Sequence, residues 1–489
     1  MLIITRYLFI GSIVTFLALF QNGCQRQQKR TNNTNKVTIA LGAAPSTLDP
    51  TKATDATGMR MVSLLYQGLV QVGADLKPTA DLAKKWTVDN KRITFYILSS
   101  TKFSDGTPLK CIDLKNSITT FQGDKCPFKS VFTKIKNIDC VSPEKNFELS
   151  FDVEADIDKF LLADLPVLKV KRGSLGTGPY TLDSIDPSKA YLKRNPEFEQ
   201  PQKYDLVFYF LKDDFSRFLK VYKGDIDIAP NSIPFEKISS FEDTAFTVVE
   251  KPSLSTSYLL VNFKNPALQN IELRKKIYND LNIPDLVQNR FENHVTRARS
   301  LLSPEHPYYS KKLDQIGHKT SGEKITPPLL TLKTSNARQA RETGKIIAQT
   351  LRAKGSPTVL QSFEWGTYYK DVKSGKFDLA LMQWVGVVDP DLYNLAFHSS
   401  EFPPGRNRGY YKNDDLDKLL ESGQSSPSTA DRKTVYNNVQ NHVFENLAIL
   451  PLWHENQVHI LHPRVKNYKL NPMGSFSSLL NLEIQKQGL

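Results

Sequence analysis

Apolar residues recur along this chain with two periods, and the alternation between them predicts most of its elements. Val37–Leu41, Arg92–Leu98 and Val359–Phe363 read as strands. Helical spacing takes over at 58–72, where Met61, Leu64, Leu65 and Leu69 share a face, and again at 112–121. Further on, Leu329–Lys333 predicts a strand and 336–354 a helix that turns Ile346, Ile347, Thr350 and Leu351 inward. Gly355 closes that helix as a C-terminal cap. A helix over 365–373 stops at Gly375, and Leu379–Met382 is continuously apolar, as in a strand buried on both faces. The 430–445 helix carries Tyr436, Val439, Val443 and Phe444 on one side and leads to strands at 448–453 and 458–461. Strand and helix in turn predict an α/β protein. Residues 295–328, rich in Pro, Ser, His and Lys, read as a loop-rich passage.

At 489 residues the chain is too long for one core and predicts two or three domains. With 40% hydrophobic and 24% charged residues it is expected to fold rather than stay disordered. The net charge of +13 is dispersed among 51 acidic residues, with one short basic cluster at Gln25–Arg30 and no zinc-finger or RNA-binding motif, so no nucleic-acid partner is expected. Leu8–Phe20 has the length of a signal-peptide core and is short for a membrane span. It ends at Gln21-Asn22-Gly23-Cys24, which resembles a bacterial lipoprotein signal, with Gln21 where leucine is usual. That resemblance implies removal of 1–23, lipidation of Cys24 and a polar tether over 24–36. Cys111, Cys126 and Cys140 then allow one disulfide and one free thiol, with the pair left open.

Catalytic and metal chemistry find no support. His454 and His459 are five apart, one more than a zinc-protease helix requires, and the surrounding residues read as strand. Gly176-Thr177-Gly178 is followed by Pro179 and lacks the Lys of a phosphate loop. No G-x-S-x-G elbow is present. We expect no enzyme activity, no cofactor and no metal.

Five segments in order, Leu48-Asp49-Pro50, LLYQGLV from Leu64, LKPTADLAKKW from Leu76, ITFYIL from Ile93 and KFSDGTPL from Lys102, resemble the extracytoplasmic solute-binding proteins of ABC importers. The match is to solute-binding protein family 5, the class with oligopeptide-, dipeptide- and nickel-binding members. GTGPY at 176–180, FLKVYKGDIDI at 218–228, Ser257–Asn262, Tyr410–Leu420 and Ala448–Trp453 extend it along nearly the whole chain. The resemblance implies a bilobal periplasmic-binding-protein-like α/β fold that closes by hinge motion. Lobe 1 would comprise 37–65, 173–255 and 458–489, with 66–172 appended, and lobe 2 would be 256–457. It also implies a monomeric binder in the periplasm or cell envelope that delivers a solute, a short peptide first, to an ABC permease.

For the ligand site the resemblance singles out Trp384, Val385 and Gly386, where an apolar strand reaches the sheet rim, with Asp389 in the Asp-Pro turn beyond. Tyr258 and Asn231 match positions near the ligand in peptide-binding members, and Ser46, Thr47 and Tyr410 are further candidates. Each has a plainer reading as core, hinge or turn. Peptide-binding members commonly carry an acid three residues after the Trp to pair with the ligand amine, and this chain has Val387. Losing that partner for a buried ammonium would cost roughly several kcal/mol. The alternatives are a non-peptide solute, such as a sugar, an opine-like compound or a metal chelate, and a surface lipoprotein acting as adhesin or signalling partner.

Overall fold

The computed structural model describes residues 35–485, apart from 74, 143–145, 156, 323–324, 404, 427, 472 and 481. The segment expected to be a signal peptide, 1–23, and the expected lipidation site Cys24 lie outside the described residues. Among the described residues no helix is long and apolar enough to cross a membrane.

Among the described residues one mixed sheet of eleven strands runs from end to end. Its first half is ordered 180–185, 189–194, 205–210, 36–41 and 228–230, with Lys36–Leu41 parallel to both Asp205–Phe210 and Ile228–Pro230. The other half contains 379–384, 330–335 and 358–363, joined by parallel pairing on both sides of 330–335. Two long antiparallel strands, Thr247–Val261 and Ile449–Leu461, carry the sheet from one half to the other. Their pairing runs from Thr247↔Leu461 to Pro252↔Asn456, breaks, and resumes at Thr256↔His454. The break leaves Ser253–Ser255 out of the ladder at the midpoint of the molecule. A bulge interrupts the ladder and bends the strand, so the crossing strands have a joint here.

Buried side chains gather separately on the two sides of this joint. Ile39, Leu64, Leu192, Phe208 and Phe476 pack in the first half, and Leu259, Leu332, Ile347 and Leu450 in the second. A third core is carried by an antiparallel sheet of 83–89, 92–98, 146–153 and 135–141. Ile93, Phe95 and Ile97 alternate inward from one central strand, and Phe147, Leu149, Phe151 and Val153 from the other. They meet Leu114, Ile118 and Phe121 of the Cys111–Phe121 helix. Cys111 is bonded to Cys140, which ties this helix to the edge strand of its sheet, and Cys126 is a buried free thiol.

The predicted helix over 58–72 is instead a helix at Ala56–Leu65 followed by a strand at Val70–Val72. The chain leaves the helix at Leu65 because Asp81 takes the Gln67 amide and the Gly68 N–H, at 2.9 and 2.8 Å. Leu69 and Val70 therefore enter the third core. Gly176 and Gly178 press against the carbonyls of Leu64 and Leu65, where a Cβ would overlap backbone that cannot yield. The GTG turn is thus a close-packing device, consistent with the absence of a phosphate-loop lysine. In the loop-rich passage, Val295–Arg297 adds a short strand beside Ile449–Leu461.

Candidate functional site

Among the described residues a cavity lies at the joint, between the two halves of the sheet, with a volume of about 650 Å³. That is the usual size range of a small-molecule pocket. Its floor is the bulge itself, Ser253–Ser255 from one crossing strand and Glu455–Val458 from the other. Asn231–Glu236, Arg217 and Asp214 wall it from the first half. Arg338, Glu342 and Ile346 of the Arg338–Ala353 helix face them from the second, with Arg290, Gln383, Val385 and Gly386.

Among the candidates read from the sequence, Asn231, Val385 and Gly386 line this cavity. Asn231 sits at a left-handed φ of 47°, which an asparagine tolerates. Its Oδ1 accepts from the Val458 N–H at 2.8 Å and its own N–H donates to the Val458 carbonyl at 2.9 Å, fastening the wall to the joint. Val385 is 70% exposed, and Gly386 takes a positive φ of 64° beside it.

The other candidates stand away from the cavity lining. Trp384 is half-buried against the second half's core, which also holds buried Tyr258. Asp389 is buried and bidentate with Arg432, at 3.0 and 3.1 Å. Two residues on, Asp391 accepts from Tyr436 at 2.8 Å and from Lys159 of the third core at 2.8 Å. Burial works against ionisation of Asp391, yet the Lys159 ammonium with the Tyr436 and Gln424 hydrogen bonds outweighs it and holds its pKa below the usual carboxylate range. The Asp-Pro-Asp turn is therefore an ionic anchor between two parts of the molecule. Ser46 binds Asp55 at a helix N-terminus, and Thr47 accepts from the Asp49 N–H. Tyr410 donates to the Lys373 carbonyl and lies under the Lys264 ammonium. Val387 is buried and its N–H holds the Leu254 carbonyl at 2.9 Å.

The cavity carries charges of both signs. Arg217 is satisfied by the Leu211 and Ser232 carbonyls and by Asp214. Arg338 reaches across the opening to Asp214 at 3.1 Å and toward Glu236 at 3.8 Å, so both halves are held together at the mouth. Two further groups went unseen in the sequence. Glu455 lies on the cavity floor, where burial raises its pKa, and Arg60 on the wall, where burial lowers its own. Glu455 had one signal, a carboxylate interrupting a strand that is otherwise almost wholly buried; Arg60, beside Met61 on an ordinary amphipathic helix, had none. The two histidines of this strand, His454 and His459, are each engaged by a neighbouring hydroxyl. His454 Nδ1 pairs with the Thr256 hydroxyl at 2.9 Å and His459 Nδ1 with Tyr468 at 2.6 Å. Among the described residues no group of three possible metal ligands converges.

Two sheet halves joined by a bulged pair of crossing strands, with a charged cavity at the joint, define a cleft-type ligand-binding protein. The chain belongs to the bacterial extracellular solute-binding proteins of family 5, whose middle region matches residues 77–403. It is a substrate-binding component of ABC transport and not an enzyme. It is 25% identical over 480 residues to the probable D,D-dipeptide-binding periplasmic protein DdpA of Escherichia coli, covering 89% of this chain and 91% of that one. Its fold matches the oligopeptide-binding protein AppA of Bacillus subtilis, solved with a nonapeptide, at a TM-score of 0.72 and 18% identity, over 92% and 99% of the two chains. NikA of Brucella suis, solved with Fe(III)-EDTA, matches at a TM-score of 0.79 and 18% identity, over 92% and 100%.

Proposed function

We propose that this protein captures short peptides in the cavity at the joint and delivers them to the permease of an ABC importer. In this reading it works as a monomer in the periplasm or cell envelope, anchored through lipidated Cys24. Lobe 1 is 37–65, 173–255 and 458–489, bearing 66–172 as an appended subdomain, and lobe 2 is 256–457. The lobes close about Ser253–Ser255. The observation that carries the reading is the cavity itself, floored by the bulge of both crossing strands and lined by residues from both halves. A ligand there touches both lobes, so closure buries it and opening releases it. The dipeptide-binding relative and the nonapeptide-bound fold relative support a peptide as cargo.

A second reading, a non-peptide solute such as a metal chelate, is favoured by one feature. Val387 stands, buried, where peptide-binding members commonly have an acid. Native mass spectrometry of the full chain purified from its own host separates the two. A ladder of short-peptide masses is expected; one discrete non-peptide mass supports the second reading. A protein that stays empty and shows no thermal shift with peptides or sugars argues for an adhesin or signalling role instead.

A further inference from the structure

In the lobe division proposed above, the appended subdomain, 66–172, is tied to both lobes, and unequally. Toward lobe 1 it is fastened at several points. Lys171 pairs with Asp49 at 2.9 Å and Lys102 with Glu197 at 2.9 Å, and the Ser104 N–H donates to the Gly176 carbonyl at 3.0 Å. Toward lobe 2 it reaches through Lys159, whose ammonium donates to Asp391 Oδ2 at 2.8 Å. Phe160 and Leu161, next along the chain, are buried in the third core, so the base of this lysine is held by the subdomain. The receiving carboxylate is held by lobe 2. Tyr436 and Gln424 donate to its Oδ1 at 2.8 and 3.0 Å, from the Thr429–Glu445 and Asp414–Gln424 helices.

The contact from Lys159 to Asp391 bridges the lobes without using the crossing strands that form the joint. Rotation about Ser253–Ser255 that separates the lobes draws its two ends apart. The Asp389–Arg432 pair beside it lies wholly within lobe 2 and stays intact. The Asp391 side chain is 6% exposed and that of Lys159 34%, so the pair is largely shielded from water and stronger than one at the surface. Burial opposes the Lys159 charge, and Asp391 more than offsets it. Tyr436 and Gln424 come from lobe 2 itself, so part of the desolvation of Asp391 is present whether the lobes are open or closed. The Lys159 ammonium offsets that cost only when they are closed.

We propose that Lys159 and Asp391 form a clasp by which the appended subdomain holds the two lobes closed, so that the pair must part before cargo enters or leaves the cavity. Among the described residues the subdomain contributes nothing to the cavity lining. It acts on cargo release from outside the site, and Lys159 and Asp391 are positioning residues. The proposal rests on the lobe division and not on the nature of the cargo.

The test compares the full chain with Lys159→Met, Asp391→Asn and Lys159→Arg, each checked for folding by circular dichroism. Small-angle X-ray scattering of the ligand-free proteins reads how far the lobes part. Native mass spectrometry after dilution reads the release of a randomised tripeptide pool. Lys159→Met and Asp391→Asn are expected to show a larger radius of gyration than the parent and to release tripeptides about 10- to 100-fold faster, as for loss of one hydrogen bond between charged groups. Lys159→Arg keeps the charge and is expected to restore most of the parent's behaviour. Variants that melt at a lower temperature but keep the parent's scattering curve and release rate overturn the clasp and make the pair a static strut. If no tripeptide loads, the short-peptide reading fails and scattering alone decides, coincident curves for parent and variants again overturning the clasp. Two charge-removing variants are used so that loss of folding in one leaves the other to decide.

Discussion

Asp389 offers the sharpest separation between a ligand contact and a structural anchor. Its carboxylate and the Arg432 guanidinium are each 7% exposed and joined by two hydrogen bonds. Burial opposes the Arg432 charge, but Asp389 more than compensates, so its pKa is raised. Asp389→Asn keeps the shape and removes the charge, leaving a buried guanidinium with amide oxygen as its best partner. Breaking a buried pair on one side costs about 3–5 kcal/mol, which in a domain of this size lowers the melting temperature by on the order of 10 °C. Replacing both partners, as Asp389→Asn with Arg432→Met, removes the stranded charge and is expected to recover much of that loss. Urea and thermal unfolding of the two single variants and the double variant give the coupling energy directly. Peptide affinity, measured by titration calorimetry on the folded proteins, should stay within about twofold, since neither residue lines the cavity. An Asp389→Asn protein of unchanged stability that binds peptide tenfold more weakly would refute the structural reading and return Asp389 to the ligand.

Three further outcomes follow from the same structure. Burial lowers His306 and His454 to about 4, so both stay neutral in the folded chain while an unfolded histidine protonates near 6.5. Their contribution is complete above about pH 6.5 and falls away as pH drops toward 4, by roughly 3 kcal/mol for each; a melting temperature flat between pH 7 and 4.5 would contradict it. Cys111→Ser with Cys140→Ser opens a loop with a sequence separation of 29 and should destabilise its subdomain by about 3–4 kcal/mol. Circular dichroism of that variant should show an early transition, also produced in the parent chain by reductant. Arg338→Ala removes the exposed contact across the cavity mouth, which is worth at most about 1 kcal/mol. Peptide dissociation measured by stopped flow should quicken no more than about fivefold, and a larger effect would mean that Arg338 itself grips the ligand.

The order of strands and helices was readable because burial on one face imposes a period of 2 or 3.6 on neighbouring residues, a local property. So were the α/β class and the membership in a hinged solute-binding family, carried by segments whose residues are contiguous. Three things were not local. The end of the helix at Leu65 depends on Asp81, sixteen residues on, holding the Gln67 and Gly68 amides. The Cys111–Cys140 pair depends on which strand borders the helix. Above all, the cavity floor brings Arg60 toward Gln457 and Glu455, nearly four hundred residues later in the chain. Trp384 and Asp389 drew attention because large aromatics and turn carboxylates stand out in a linear pattern, and the tertiary structure gives them core and anchor contacts. Periodicity records which face of an element is dry; it carries no record of which two dry faces meet, or of which charge is left facing the space between them.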